Sequence, residues 1–372
     1  MVKGVFVYLK RIESGVKLNI LVHFATSIGL GFASFFLNYQ GVPLFKIMLM
    51  WAISPLAAAI IAFSFKKWNL KRQLIFGTLS YTFMALSLLF FFNYSYLIYG
   101  LFSGFTMGFY WVSLNYIFFN KSEKKNHAKD FNIYFLIGPI FSILFPPIGA
   151  VIIDNFGFQV LFVITGLLSL IPLFYVNKDG FNQTFYAKFS EANKKFSGLR
   201  TYMALNDGLH FFQGHFIAVY ILLFLTSEYE IGGMISYLAL ISLIVSFFIS
   251  EASDKNQKRI KYLTPMMIGM GLLILSMIFI KNPLIFVLIV GIYAILDNMS
   301  LPIRYAIPMD IKVKDIGFWR TAEVYGNLGR VIAFGVSSLF LYFGNYWIPL
   351  VIFAFMSFST PLIIKLKIKE MQ

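Results

Sequence analysis

The sequence has no cysteine and little charge, and each shortage excludes a class of protein. Without a thiol there is no disulfide, thiolate metal site, thioether-linked haem or cysteine nucleophile. Charged residues make up 13% of the chain, whereas soluble domains contain about a quarter. Apolar residues reach 59% and the mean hydropathy is +0.77, so we expect lipid to be the main solvent of this chain.

Motifs for enzyme chemistry are missing as well. The sequence has no G-x-x-x-x-G-K-[ST] for nucleotide phosphates, no H-E-x-x-H for zinc and no G-x-S-x-G for a serine nucleophile. We therefore expect no catalytic activity, no cofactor and no metal site. The net charge of +15 is spread over several short segments instead of one basic patch with interleaved aromatic residues, so nucleic acid is not an expected partner.

The sequence does contain a series of long apolar runs. A helix needs about 20 apolar residues to cross a bilayer. Runs of this length divide the chain into about twelve spans, which predicts an all-α integral membrane protein. The spans are predicted near residues 18–38, 44–65, 74–92, 96–119, 131–153, 158–176, 201–225, 232–250, 262–280, 284–303, 322–343 and 346–366.

The basic residues predict an orientation in the membrane. Of the 31 Lys and Arg residues, 28 lie in every second gap between the apolar runs, beginning with the N-terminal segment and including residues 177–200. Short cytoplasmic loops retain Lys and Arg. Both termini and residues 177–200 are therefore expected in the cytoplasm, and the chain is expected in the inner or plasma membrane as a multi-pass protein.

The two halves of the chain contain matching positions. His23 in the first predicted span matches His210 in the seventh, each four residues after an Asn, and Gly138 in the fifth matches Gly329 in the eleventh. Such matches favour duplication, with a pseudo-twofold axis along the membrane normal and a solute site at the midplane between the halves. The predicted organisation is an N-terminal half of six helices at 1–176, a cytoplasmic central loop at 177–200 and a C-terminal half of six helices at 201–372.

Two loops resemble motifs of a known transporter family. Residues 62–72, between the second and third predicted spans, carry basic residues of the pattern G-x-L-A-D-R-x-G-R-R but have Lys66 in place of its Asp. The related loop at 250–259 keeps the acid as Asp254. Together with the six-plus-six layout, these loops make the chain resemble the major facilitator superfamily of secondary transporters over essentially its whole length.

The resemblance implies alternating access to a central cavity lined by spans one, four, seven and ten. In that family the loop Asp helps to latch the cytoplasmic ends of the halves. Asp254, Lys255 and Arg259 are therefore candidates for a cytoplasmic gate loop, and Lys66 leaves the first half without the usual latch residue. The fourth span lacks the Arg of many drug/proton antiporters, so the motifs do not assign the chain to that group.

A few ionisable residues lie within the predicted spans, where each costs about 2.5 to 3.5 kcal/mol on insertion and needs a reason. Asp207, His210 and Asp297 are candidates for proton coupling, with Glu323 and Arg330 as charge partners. Asp207 and His210 lie one turn apart and could share a proton. Two alternatives stay open: Arg330 neutralises an acid only to hold helices together, and His210, like its counterpart in span one, bonds the Asn one turn earlier as a packing device.

A second group of polar and aromatic residues suits an organic solute that stacks and hydrogen-bonds. The alternative is that these side chains pack helices or face lipid, as most rings must in a chain with 19% aromatic residues. The substrate-cavity candidates are His23, Thr26, Ser27, Tyr110, Trp111, Asn115, Gln213, His215, Tyr293, Asn298 and Asn327.

These observations predict a secondary active transporter that moves a small organic solute by alternating access. Protons or another ion are the expected coupling partner, the lipid bilayer surrounds the protein, and the chain is expected to act as a monomer. The alternatives are an uncoupled facilitator, or a channel-like or regulatory membrane protein that keeps the fold. A membrane-embedded enzyme is disfavoured by the missing motifs.

Overall fold

The computed structural model describes residues 13–120, 122–123, 126–178, 181–245, 259–311 and 315–367. Within these ranges the chain is mostly helical, because a chain surrounded by lipid must satisfy its backbone hydrogen bonds internally. The predicted gate-loop residues Asp254 and Lys255 lie outside the described ranges.

The helices of the N-terminal half are interrupted at several points. The elements are α1 (Glu13–Thr26), a 3-10 segment (Leu30–Phe32), α2 (Ala33–Tyr39), α3 (Leu44–Ser64), β1 (Lys67–Asn69), α4 (Leu70–Leu89), α5 (Ser95–Phe105), a π segment (Thr106–Trp111), α6 (Val112–Phe119), α7 (His127–Leu168) and α8 (Ile171–Lys178). α1 and α2 are bent by 53° relative to each other. α7 is broken at Gly157, where a φ of 82° favours a residue without a side chain.

The central loop and the C-terminal half follow in chain order. The elements are β2 (Thr184–Tyr186), α9 (Phe189–Lys195), α10 (Arg200–Phe211), a π segment (Phe212–Phe216), α11 (Ile217–Tyr220), a 3-10 segment (Ile221–Leu223), α12 (Glu228–Val245), α13 (Arg259–Ser276), a 3-10 segment (Met277–Phe279), α14 (Pro283–Ile311), α15 (Ile316–Tyr342) and α16 (Ile348–Lys367). Asp315 caps α15, because its side chain accepts a hydrogen bond from the Phe318 amide at 2.7 Å.

Helical segments stand at each predicted span, but some of them fail as membrane spans by length and composition. In the described part of the chain, eight helices are long and apolar enough to cross a bilayer, or nine if the bent pair α1 and α2 counts as one span. α4 and the interrupted stretch from α10 to residue 223 are not among them. The chain is a multi-pass membrane protein, and the count of twelve spans stays a prediction.

The tenth and eleventh spans extend further than the sequence predicts. The expected basic gap at 304–320 is mostly helical, because α14 continues to Ile311 and α15 begins at Ile316. Arg304 and Arg320 are consequently buried inside helices. Both have fixed partners there: Arg304 donates to Asp297, and Arg320 donates to backbone carbonyls. The sequence counts both arginines as loop charges, but in the structure both hold helices together.

The two halves meet along two helix pairs. α3 packs along α15, and α7 packs along α12. α3 and α12 contain the second predicted spans of their halves, and α7 and α15 contain the fifth. Both contacts therefore join a second span to a fifth span, as a twofold relation between the halves requires. At the end of the bundle opposite the central loop, Ser338 Oγ donates to the Phe45 carbonyl at 2.7 Å and Tyr229 Oη donates to Asp154 at 2.8 Å. These contacts join the halves at that end.

A small antiparallel sheet joins them at the other end. β1 pairs with β2, which places Trp68 opposite Phe185. Arg320 of α15 donates to the Ala62 carbonyl at 3.0 Å and to the Ala187 carbonyl at 2.8 Å, and its guanidinium lies 5.4 Å from the Trp68 ring centroid. We call β1, β2 and Arg320 together the loop clasp. It connects the N-terminal half, the central loop and the C-terminal half at one point.

The loop clasp holds the end of α3 although Lys66 stands in place of the Asp of the family motif. The last carbonyls of α3 have no donors within their own helix, and they form its negative end. Arg320 brings a cation and several N–H groups to these carbonyls. The halves are therefore in contact here without that Asp: the charge at this contact is positive and is carried by α15, and its acceptors include main-chain oxygens of α3.

Candidate functional site

A cavity of about 590 Å³ lies between the two halves. Its wall includes side chains from the predicted spans one to five of the N-terminal half, from spans seven, eight and eleven of the C-terminal half, and from the part of α14 that follows span ten. The sequence-predicted residues on this wall are His23, Thr26, Ser27, Trp111, Asn115, Asp207, His210, His215, Glu323 and Arg330.

Both π segments contribute to the wall. Trp111 belongs to the segment Thr106–Trp111, and His215 belongs to the segment Phe212–Phe216. A π turn adds a residue to the helix and is frequent at functional sites. It also shifts the side chains that follow it onto a different face. The helical period of about 3.6 residues therefore does not predict which side chains near the π segments face the cavity.

The charged part of the wall is a group of one base and two acids from the C-terminal half. Arg330 Nη2 lies 3.3 Å from Asp207 Oδ2, and Arg330 Nη1 lies 3.4 Å from Glu323 Oε1. We call these three residues the Arg330 cluster. Asn327 supports it by donating to Glu323 Oε1 at 2.8 Å and accepting from Arg330 Nη1 at 2.7 Å. Glu323, Asn327 and Arg330 share one face of α15, as their spacing in the sequence predicts.

The two acids of the Arg330 cluster have different surroundings. Asp207 Oδ1 accepts hydrogen bonds from Tyr305 Oη at 2.6 Å and from Asn206 Nδ2 at 3.1 Å, while Oδ2 faces Arg330. Glu323 Oε1 accepts hydrogen bonds from Asn327 Nδ2 and from Arg330 Nη1. Within the described ranges, Glu323 Oε2 has no donor. Glu323 is therefore the acid with an oxygen left for a ligand in the cavity.

Asp297 is not part of the Arg330 cluster. It is bonded to Arg304 seven residues further along α14, both side chains are buried, and neither lines the cavity. The sequence places Asp297 and Asp207 at the same depth in the membrane. Depth along a helix does not fix the direction in which a side chain points. The expected position of Asp297 on the cavity wall is therefore wrong, since α14 turns it into the packing between helices.

Three of the four histidines line the cavity. The His23 and Trp111 ring centroids are 5.8 Å apart, and His215 stands edge-on to Trp51 with centroids 4.1 Å apart. Nδ1 of His210 and Nδ1 of His215 are buried and have no hydrogen-bond partner among the described residues. In the same part of the chain, no group of three or more His, Asp or Glu residues is arranged to hold a metal ion.

The packing device proposed for the histidines is not observed in the described structure. Asn19 Nδ2 donates to the Tyr134 carbonyl at 2.9 Å and Asn206 Nδ2 donates to Asp207, while the amide oxygens of both residues have no partner among the described residues, so neither Asn is bonded to the His one turn later. Asp207 and His210 do not form a hydrogen-bonded pair either. The His210 ring lies against Tyr305 instead, with centroids 5.6 Å apart.

Several predicted cavity residues are turned away from the wall. Tyr110 Oη donates to the Leu18 carbonyl at 2.8 Å, and Asn298 Nδ2 donates to the Ala294 carbonyl of its own helix at 2.7 Å. Each of these residues lies in the span in which the sequence places it, but the direction of its side chain around the helix axis was not predicted. The candidates that do not line the cavity are Tyr110, Gln213, Tyr293, Asn298 and Asn327.

An aromatic belt on the wall is formed by Trp111, which the sequence predicts, and by Tyr134, Phe135 and Tyr305, which it does not. Successive ring centroids are 6.1, 5.3 and 5.4 Å apart. The belt runs from the N-terminal half to the Arg330 cluster, where Tyr305 bonds Asp207. No pattern in the sequence separates Tyr134, Phe135 and Tyr305 from rings that face lipid. Further wall residues missed are Trp51, Tyr81, Tyr99, Ser103 and Thr106.

Arg259 is the predicted gate residue that the structure describes. Its Nε lies 3.1 Å from Asp310 Oδ2, and Asp310 Oδ1 lies 2.7 Å from His127 Nδ1. These side chains are almost completely buried. They cross from the C-terminal half to α7 of the N-terminal half near the central loop. His127 and Asp310 are partners of Arg259 that the sequence did not indicate.

A family comparison agrees with this cavity between two joined halves. The family model described as Major Facilitator Superfamily matches residues 18–314. The chain belongs to the major facilitator superfamily. It is thus a membrane transporter of that family, and the resemblance seen in the loops is confirmed. No curated protein matches the chain.

Solved structures of other superfamily transporters share the fold. The human organic anion transporter MFSD10 (TETRAN) has 12% identity and a TM-score of 0.61, with 95% of this chain and 99% of that chain covered. A bacterial homologue of the iron transporter ferroportin in an outward-facing state has 11% identity and a TM-score of 0.66, covering 95% and 98%. A bacterial homologue of ferroportin in an outward-facing state with soaked iron has 9% identity and a TM-score of 0.69, with 96% of this chain and 99% of that chain covered. At these identities the likeness concerns the fold.

Proposed function

We propose that this superfamily member is a secondary active transporter that moves a small organic solute by alternating access and couples it to protons. The observation that carries the proposal is the Arg330 cluster on the wall of the central cavity. In this proposal the two halves rock about the cavity as six-helix units, and the contacts at the two ends of the bundle break in turn.

The shape of the cavity supports an organic solute. A volume of about 590 Å³ lies within the range of small-molecule sites, roughly 300 to 1,000 Å³. The aromatic belt offers ring faces for stacking, and Asn115, Thr26 and Ser27 offer hydrogen-bonding groups on the wall of the N-terminal half. Such a mixture of rings and a few polar groups is typical of sites for organic molecules.

The charge balance of the Arg330 cluster supports coupling to a proton. Two carboxylates share one guanidinium, so the cluster with both acids ionised has one negative charge in excess. An uncompensated charge within a membrane is costly. Binding of one proton removes the excess, and its release restores it. Asp207 has three donors around it, whereas Glu323 Oε2 is open among the described residues. We assign the proton to Glu323, with Asp207 and Arg330 as its fixed surroundings.

The test is uphill transport in proteoliposomes by purified protein. A thermal-shift screen first identifies a solute that stabilises the protein, and its labelled form is then used for flux. In the wild type, a pH gradient should accumulate the solute above equilibrium. Glu323→Gln, which resembles the permanently protonated acid, should lose this accumulation. The matched control is Glu191→Gln on α9, where the same change is made at an exposed site.

Two results would overturn the assignment. Gradient-driven accumulation that survives in both Glu323→Gln and Asp207→Asn would remove the proton from this cluster. Wild-type protein that equilibrates the solute but never concentrates it, under a gradient of pH or of another ion, would favour the alternative of an uncoupled facilitator.

A further inference from the structure

If the proposed transport function holds, the residues of the cavity also indicate the charge and the shape of the solute. We infer that the transported solute is a monovalent organic cation with an aromatic or compact apolar body, and that its charged group occupies the same carboxylate, Glu323, as the coupling proton. Proton and solute would then exclude each other, which makes the protein an exchanger of the two.

The sign of the charge follows from what is left open on the wall. The only guanidinium or ammonium group on the described wall is that of Arg330, and it is already engaged by Asp207, Glu323 and Asn327. Its flat face is covered by Phe211, whose ring centroid lies 4.0 Å away. An anionic solute would have to displace these partners. A cation meets the unoccupied oxygen of Glu323 and a surplus of one negative charge.

The other ionisable groups near Glu323 do not change the surplus of one negative charge in the Arg330 cluster. With the cavity histidines as neutral imidazoles, the surplus stays at one negative charge. α3, which packs along α15, presents Trp51 to the cavity, and its Lys46 lies over the Tyr96 ring, 5.9 Å from the centroid. The groups that face the Arg330 cluster or line the same cavity are His23 and Tyr134 of the N-terminal half and His210, His215 and Tyr305 of the C-terminal half.

The body of the solute is defined by the aromatic belt. Rings attract cations through their negative faces, and they also bury apolar surface. The belt begins in the N-terminal half at Trp111, where no charged side chain lines the described wall, and ends at Tyr305 beside Asp207. A solute of this class can lie along the belt with its charged end at Glu323. The N-terminal half would thus bind the neutral body, and the C-terminal half would bind the charge.

The experiment compares three probes that share a phenyl ring and a tetrahedral substituent but differ in charge. They are phenyltrimethylammonium, phenyl methyl sulfone and benzenesulfonate. Binding of radiolabelled phenyltrimethylammonium to the purified full chain is measured at several pH values, with the other two as competitors. The cation is permanent, so any pH dependence belongs to the protein. We expect the cation to bind, the neutral and anionic probes to compete at least tenfold more weakly, and the affinity to fall up to about tenfold per pH unit as protons take the site.

Proton release gives a second readout on the same protein. Addition of phenyltrimethylammonium to weakly buffered wild-type protein should release up to about one proton per bound cation, and the release should vanish in Glu323→Gln together with the pH dependence. Glu323→Asp, which keeps the charge, should retain both, as should Glu191→Gln. Equal or stronger binding of benzenesulfonate, or no detectable binding of the cation by folded wild-type protein, would overturn the assignment of solute class.

The outcomes also separate this inference from the proposed function. If gradient-driven transport depends on Glu323 but the solute is neutral or anionic, proton coupling stands and the shared site is wrong. Counterflow exchange that persists in Glu323→Gln for a cationic solute likewise contradicts a shared carboxylate. If the wild type concentrates no solute under any ion gradient, the coupled transport itself is wrong.

Discussion

At the scale of single residues, the buried charges of this protein fall into two kinds. The Arg330 cluster borders the cavity and has more acid than base, whereas Asp297 and Arg304 form a closed pair within α14. Tyr202 Oη also donates to the Arg304 carbonyl at 2.7 Å, which ties α10 to α14. A closed pair away from the cavity has no ligand to meet. We therefore interpret it as a structural element and expect its loss to affect stability rather than coupling.

Arg304→Ala tests this structural role. The substitution leaves Asp297 as a lone acid among buried groups, and removal of one partner of such a pair costs about 3–5 kcal/mol. We expect a clearly lower melting temperature, measured by heating detergent-solubilised protein and recording the monodisperse fraction by size exclusion. The double variant Asp297→Leu with Arg304→Met replaces the pair by apolar groups and should recover most of the loss. A double variant as unstable as the single one would show that the pair does more than balance charge.

At the scale of elements, the ends and breaks of helices decide how the halves are joined. α3 ends where Arg320 reaches its last carbonyls, and the central loop divides its contacts between the halves: β2 pairs with β1, while Asn193 of α9 accepts a hydrogen bond from Tyr325 of α15 at 2.8 Å. Opening at this end must separate Arg320 from its carbonyl partners on α3 and the central loop. The clasp is thus a contact that alternating access would have to break and form again.

Arg320→Ala should loosen the loop clasp. The variant leaves the carbonyls of Ala62 and Ala187 without their donor and removes the cation from the end of α3. Spin labels at Lys66→Cys and Lys194→Cys, introduced into a chain that has no native cysteine, report the distance across the clasp. We expect a broader distribution with longer distances in the Ala variant. Arg320→Lys keeps the charge but loses the forked geometry of the guanidinium. Its distance distribution should lie between those of the wild type and the Ala variant. An unchanged distribution would mean that other contacts hold this end closed.

At the scale of the whole molecule, the orientation in the membrane is a prediction of the charge pattern. Asn93 and Lys281 lie at exposed turns opposite the central loop, whereas Lys66 lies beside it. Cysteine placed at Asn93 or Lys281 should react with an impermeant maleimide added outside intact cells, and cysteine at Lys66 should react only after the membrane is opened. The cysteine-free parent provides the blank. Labelling of Lys66→Cys from outside, without labelling at Asn93→Cys, would invert the predicted topology.

The sequence alone determined that this chain crosses a membrane in many helices and that it resembles the superfamily to which it belongs, and it favoured a relation between the two halves. These properties follow from composition, run length and loop motifs, because transfer of a segment into lipid depends mainly on its own residues. Glu323, Asn327 and Arg330 were also predictable as one face, since their spacing lies within a single helix.

Only the tertiary structure decided which buried charges meet. Asp207 and Asp297 look alike in the sequence, yet one joins Arg330 at the cavity and the other joins Arg304 in the packing. The choice depends on the rotation of each helix about its axis, which is set by contacts with neighbouring helices. Trp111 likewise reaches the wall, while its neighbour Tyr110 donates to the Leu18 carbonyl instead. Arg320 contacts the end of α3 because that helix ends beside it, and the contact joins residues 258 positions apart in the chain.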